Sequence, residues 1–98
     1  MKREQALQVL RANRDGLKAF SVRALFIFGS VARDEATESS DLDVLVEFET
    51  ESHAGFFGLI RLKNHLEDLL GCRVDLTTPG SLRREMREQI LKEAIRAA

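Results

Sequence analysis

The chain has 98 residues, of which 15 are basic and 16 acidic, for a net charge of −1 at neutral pH. That length is read as one domain spanning residues 1–98, whose core is limited to the roughly 60–68% of surface that so short a chain can hide. Near-balanced charge argues against a free-standing nucleic-acid binder, because phosphate neutralisation by a basic surplus carries most of such a protein's affinity.

The 44% hydrophobic and 32% charged content belongs to a folded domain rather than a disordered segment. No apolar run approaches the ~18 residues of a membrane span, and no signal-peptide pattern precedes Lys2, Arg3 and Glu4. The single cysteine, Cys72, cannot form an internal disulfide, and no cysteine/histidine cluster suggests zinc. A reducing, cytoplasmic setting is expected.

Residues 2 to about 19 read as an amphipathic helix, with Ala6, Leu7, Leu10 and Leu17 near helical spacing and Gly16 weakening its end. Val22 to Phe28 is apolar almost throughout after Arg23, as expected of a strand covered on both faces and central in its sheet. A tight turn at Gly29 follows, then one or two helical turns from Val31 to Ala36 and a polar loop to Ser40. From Asp41 to Phe48 the pattern alternates: Leu42, Val44, Val46 and Phe48 share one face, and Asp41, Asp43, Leu45 and Glu47 the other.

A polar loop is expected at 49–53. The next helix, Phe56 to Leu70, carries Phe56, Leu59, Leu62, Leu66, Leu69 and Leu70 on one broad face, with Gly71 placed to end it. Arg73 to Thr77 reads as a third strand, with Val74 and Leu76 opposite in direction to Asp75. Thr78 and Pro79 suit a helix start, and the last helix is expected from about Ser81 to Arg96, with Leu82, Met86, Ile90, Leu91, Ala94 and Ile95 as its apolar side. The order is α-β-(short α)-β-α-β-α. If the second and third strands are neighbours, their aliphatics mark a face packed by helices and their carboxylates share the other.

Asp41 and Asp43 project from one strand face with Cα atoms roughly 6–7 Å apart. Two carboxylates so placed repel unless a cation lies between them, and magnesium prefers such hard oxygen ligands. Two ions ~3.5–4 Å apart can stabilise attacking and leaving oxygens in phosphoryl transfer. Asp75 could supply a third carboxylate. The plainer reading is that these residues solvate an exposed sheet face, although aspartate is a poor strand former.

Gly29 and Ser30 lie between a buried strand and a helix start, where backbone N–H groups and a hydroxyl can hold phosphate; a simple capped turn is the alternative. Neither a Walker A loop nor a GxGxxG fingerprint is present. Arg33 could make a forked phosphate contact, or pair with Asp34 or Glu35 in solvent. His53, His65 and Cys72 read as ordinary structural residues.

Taken together, Gly29-Ser30, Ala32-Arg33, Ser40-Asp41-x-Asp43, Val74-Asp75-Leu76-Thr77-Thr78-Pro79 and Ile90-Leu91-Lys92-Glu93-Ala94 resemble the polymerase-beta-like nucleotidyltransferase superfamily. More closely, they resemble its minimal branch, the MntA-type antitoxins paired with HEPN-domain toxins, over nearly the whole chain. The resemblance implies a two-layer α/β domain, a small mixed sheet with helices packed on one face. It further implies magnesium-dependent nucleotide transfer from ATP. By the family's pattern Asp41 and Asp43 would hold two Mg2+ ions, with Asp75 completing the site and helping to activate the acceptor hydroxyl. Gly29 and Ser30 would anchor the β- and γ-phosphates, with Arg33 nearby and Ser40 as a further nucleotide-binding residue. The implied acceptor is a tyrosine of a HEPN-type RNase toxin. One departure is visible: Asp34 stands where many members have glycine, and aspartate tolerates a left-handed turn better than most residues.

A domain this small can hold a triphosphate but offers little surface to enclose a second substrate, which favours a protein acceptor that completes the cleft. A binding-only antitoxin is the alternative, with the adjacent Phe56 and Phe57 as a candidate contact, since both cannot face one narrow core stripe. Transfer to a small molecule or an RNA end is a third possibility, disfavoured by the missing second lobe and the lack of basic surplus.

Overall fold

The computed structural model describes residues 1–49 and 55–98; most of the loop expected at 49–53 lies outside the described residues. The first helix, α1 (Arg3–Ala12), buries Ala6, Leu7 and Leu10. At its start the Lys2 amide donates to Gln5 Oε1 at 3.0 Å. At its end the Val9 carbonyl accepts from both the Asn13 backbone amide at 3.2 Å and the Asn13 side-chain amide at 2.8 Å. The single helix expected over residues 2–19 is broken at Asn13, whose φ −107° and ψ 15° leave the helical range. A short α2 (Arg14–Leu17) and a 3-10 turn (Lys18–Phe20) follow, closed by Ser21 at φ 62°.

Strand β1 (Val22–Phe28) runs into α3 (Gly29–Ala32), which starts at the turn glycine itself, two residues earlier than expected, and ends well before Ala36. Strand β2 (Leu42–Phe48) pairs antiparallel with β1, and α4 (Gly55–Leu70) crosses over to β3 (Val74–Thr77), which pairs parallel to β2. Gly71, at φ 66°, ends α4, and the Glu67 carboxylate caps the reversal by accepting from the Val74 amide at 2.9 Å. Pro79–Ser81 forms a 3-10 turn before α5 (Arg84–Glu93).

The expected last helix stops at Glu93. Ile95–Arg96 instead forms a fourth strand, β4, antiparallel to β1, giving the mixed sheet order β3-β2-β1-β4. The Leu25 amide donates to the Ala98 carbonyl at 3.0 Å and the Ala97 amide to the Leu25 carbonyl at 2.7 Å, so the chain end covers what would otherwise be an open edge of β1.

One sheet face carries the main core. Leu25 and Ile27 of β1, Leu42, Val44 and Val46 of β2 and Val74 of β3 pack with Ala6, Leu7 and Leu10 of α1 and Leu62, Leu66 and Leu70 of α4. A side chain such as Leu66, fully hidden, contributes roughly 1.5–3 kcal/mol by its removal from water. This is the two-layer arrangement expected, a small mixed sheet with helices on one face. The face of α4 is narrower than its leucines suggest, because Phe56 and Phe57 are 71% and 76% exposed. Helix α5 buries only Ile90; Met86 and Leu91, expected on its apolar side, are exposed.

Candidate active site

Strand pairing fixes the opposite sheet face. Phe28, Asp43 and Asp75 lie in one register row across β1, β2 and β3, and Phe26, Leu45 and Thr77 lie in the next. Directly paired residues share a face, so Asp43 and Asp75 stand side by side, as the alternation of the two strands predicts. Here Leu45 is buried outside the main core cluster.

A cleft of about 480 Å³ opens over these rows, within the range of small-molecule sites. Its floor includes Phe28, Asp43, Asp75 and Thr77, and α5 supplies Met86, Gln89, Ile90 and Glu93 as a wall. Gly29 and Arg33 close one end.

Asp43 is half-buried, and its pKa is pushed up from 3.8 to about 6. Burial is the largest cause, the charges of Asp75 and Asp41 add to it, and Arg33 partly offsets them. These are hard oxygen donors whose mutual repulsion a divalent cation would relieve, so Asp43 and Asp75 fit a magnesium site in donor chemistry. Asp41 sits one residue before β2, is exposed, and places Oδ1 3.5 Å from Arg73 Nε. Among the described residues no group of three or more His, Cys, Asp or Glu is gathered tightly enough to hold an ion as it stands. Asp41 would have to turn from Arg73 to join the other two.

Gly29 has φ +73°, and a Cβ there would collide with the Asp43 carboxylate. The glycine thus makes room for the protein's own aspartate. Asp34, at φ 60°, adopts the left-handed turn expected where glycine is commoner. Ser30 lies outside the cleft lining. Ser40 does too, and its hydroxyl accepts from the Thr37 amide at 3.0 Å. The cleft thus unites Gly29, Arg33, Asp43 and Asp75 of the seven expected site residues; Asp41 adjoins it.

Arg33 pairs with Glu35 but not with Asp34. Its Nε donates to Glu35 Oε2 at 3.2 Å, while Nη1 donates to Glu93 Oε1 and Oε2 at 3.2 and 3.0 Å. From the sequence Glu93 is only part of the Ile90–Ala94 stretch of the family resemblance, with no site role of its own. The available signal was helical spacing: Glu93 follows Ile90 by three residues, so the one buried residue of α5 and this carboxylate share a side.

The nucleotidyltransferase domain family matches residues 8–97. Protein adenylyltransferase MntA of Thermococcus cleftensis is 39% identical over 93 residues, covering 94% of this chain and 92% of that protein. A solved structure, provisionally named a minimal nucleotidyltransferase, superimposes with a TM-score of 0.81 at 41% identity, covering 97% of this chain and 95% of that one. A toxin-antitoxin structure with AMP-PNP shares the fold at TM-score 0.68 and 18% identity, covering all of this chain and 73% of that one. The family match over residues 8–97, the identity to these relatives and the shared fold show that the chain belongs to the nucleotidyltransferase domain family, as a minimal nucleotidyltransferase.

Proposed function

We propose that this protein transfers AMP from ATP to a hydroxyl of a partner protein, and that it acts as the antitoxin of a HEPN-type RNase toxin by modifying a tyrosine. The observation that carries this reading is the Asp43–Asp75 register pair, with Asp41 beside it, in a cleft that also presents the Gly29 amide and Arg33. The names of the similar proteins, a protein adenylyltransferase and a toxin-antitoxin pair with AMP-PNP, support the same reading.

Asp41, Asp43 and Asp75 would hold Mg2+, two ions by the family's pattern, and the metal would supply charge stabilisation at the phosphates. The Gly29 amide and Arg33 bind phosphate oxygens by charge-assisted hydrogen bonds, joined by the Ser30 hydroxyl, and Ser40 holds the loop before Asp41 by accepting from the Thr37 amide. The acceptor oxygen attacks the α-phosphorus, the bond from that phosphorus to the bridging oxygen breaks, and pyrophosphate leaves. Asp75 is exposed at the floor of the cleft, where it can take the proton of an arriving hydroxyl. Met86 and Gln89, which line the cleft from α5, are exposed, so the partner would exclude water from the reacting groups as it docks.

A single domain over residues 1–98 suffices for this chemistry when the acceptor completes the site. No described helix is long and apolar enough to cross a membrane, and the free Cys72 suits a reducing compartment, so we place the reaction in the cytoplasm.

A second reading, neutralisation by contact alone, is favoured by the exposure of Phe56 and Phe57, which touch edge to face at 6.2 Å between ring centres. One experiment separates the two. The protein is mixed with its partner, ATP and magnesium, and the partner is weighed intact. A gain of discrete adenylyl groups is the expected result; neutralisation with unchanged mass would refute transfer and leave contact.

A further inference from the structure

The most heavily engaged anion in the cleft is not on the sheet. Glu93, the last residue of α5, turns its carboxylate toward the end of the cleft. Its Oε1 accepts from the Gly29 amide at 3.1 Å and from Arg33 Nη1 at 3.2 Å, and its Oε2 accepts from the same Nη1 at 3.0 Å. The side chain is only 20% exposed. A carboxylate in the final turn of a helix faces the negative end of the helix dipole. Local helix chemistry does not favour it there, so its placement depends on the groups across the cleft.

Those groups are the ones read above as phosphate ligands. A backbone N–H already 3.1 Å from one anionic oxygen cannot donate well to a second, and two anions crowded at one donor repel. Glu93 and a phosphate therefore cannot both take the Gly29 amide and the inner nitrogen of Arg33.

We infer that Glu93 is an internal competitor for the nucleotide's phosphates: its carboxylate holds the Gly29 amide and Arg33 and must be displaced when a polyphosphate binds. The inference rests on the reading of Gly29 and Arg33 as phosphate ligands and adds a specificity device to it. A single carboxylate is outcompeted by a chain of phosphates carrying several charges, and holds its place against a ligand with one. Glu93 thus sets the affinity of the site and favours triphosphates over monophosphates. Once pyrophosphate has left, the carboxylate returns to the same donors and opposes rebinding.

The test uses inorganic tripolyphosphate, without metal, as the probe, and calorimetry on four proteins: wild type, Glu93→Gln, Glu93→Ala and Glu88→Gln. The last removes the same charge from an exposed position of the same helix. Because apparent affinity scales with the fraction of sites free to bind, the Glu93 variants should bind roughly three- to tenfold more tightly than wild type, and the Glu88 variant equally to it. Unchanged or weaker binding by the Glu93 variants, equal tightening in Glu88→Gln, or no binding by any of the four would overturn the inference. In wild type itself, tripolyphosphate should move the carboxyl 13C resonance of Glu93 toward that of a solvated glutamate; a stationary signal at saturation would also overturn it. Partner mass judges nucleotide transfer separately, so the competition can fail while transfer stands, or the reverse.

Discussion

Replacing Asp43 by asparagine should abolish nucleotide transfer while making the free protein more stable at neutral pH. The carboxyl is half-buried beside Asp75, with Asp41 close by, and its pKa rises from 3.8 to about 6 in the folded chain. The fold therefore binds this proton more tightly than the unfolded chain does. Stability from this group is fully present below 3.8 and is lost as pH rises through about 6. At ~1.4 kcal/mol per pH unit the interval corresponds to about 3 kcal/mol for a dry carboxyl, and partial exposure reduces that to about 1 kcal/mol. Asparagine keeps the shape and removes the charge. The variant should thus melt roughly 4–8 °C above wild type at pH 7.5, with the gap closing near pH 4. Thermal unfolding of both proteins at the two pH values, without metal, measures this. A variant less stable than wild type at pH 7.5, or a gap independent of pH, would refute the account of a carboxyl strained by burial and like charge.

Gly29→Ala should cost about 1–3 kcal/mol and remove transfer, because the backbone is at φ +73° and the new methyl meets the Asp43 carboxylate; urea unfolding with a mass assay reports both. Leu66→Ala should destabilise by about 2–5 kcal/mol through the cavity it leaves under the sheet, read from the urea midpoint at constant slope. Ala97→Asp should cost at least about 2 kcal/mol, since it buries a charge where β1 and the chain end meet; a loss below ~0.5 kcal/mol would show that the last residues do not seal that edge. Magnesium should raise the melting temperature of wild type at pH 7.5 and leave that of Asp43→Asn unmoved, and chelator should reverse the gain.

Much of this arrangement is legible in the chain because period-two alternation survives in β2 and β3. Val44 and Val74 point into the core, so Asp43 and Asp75 must share the other face. The position of Asp75 against Asp43 needs only that parity and the crossover through α4. The break in the first helix is hidden because apolar spacing continues through Leu17, whereas the backbone leaves the helical range at Asn13. Strand β4 is misread for a tertiary reason. Ala94, Ile95, Ala97 and Ala98 look helical in isolation, and only the open edge of β1 turns them into a strand and its extension. The role of Glu93 depends on where α5 lands, which no local pattern encodes. Ser30 and Ser40 belong to the same motifs as Gly29 and Asp41, but motif membership does not say which hydroxyls line the cleft.

The most direct measurement of the central claim is isotopic. The protein, its partner and magnesium are incubated with ATP labelled either at the α- or at the γ-phosphorus, and radioactivity in the partner is counted after denaturing electrophoresis. Adenylyl transfer predicts label in the partner from α-labelled ATP only, with the γ-label recovered in pyrophosphate and the Asp43→Asn protein giving neither. Label from the γ-position, or α-label undiminished by Asp43→Asn, would contradict it.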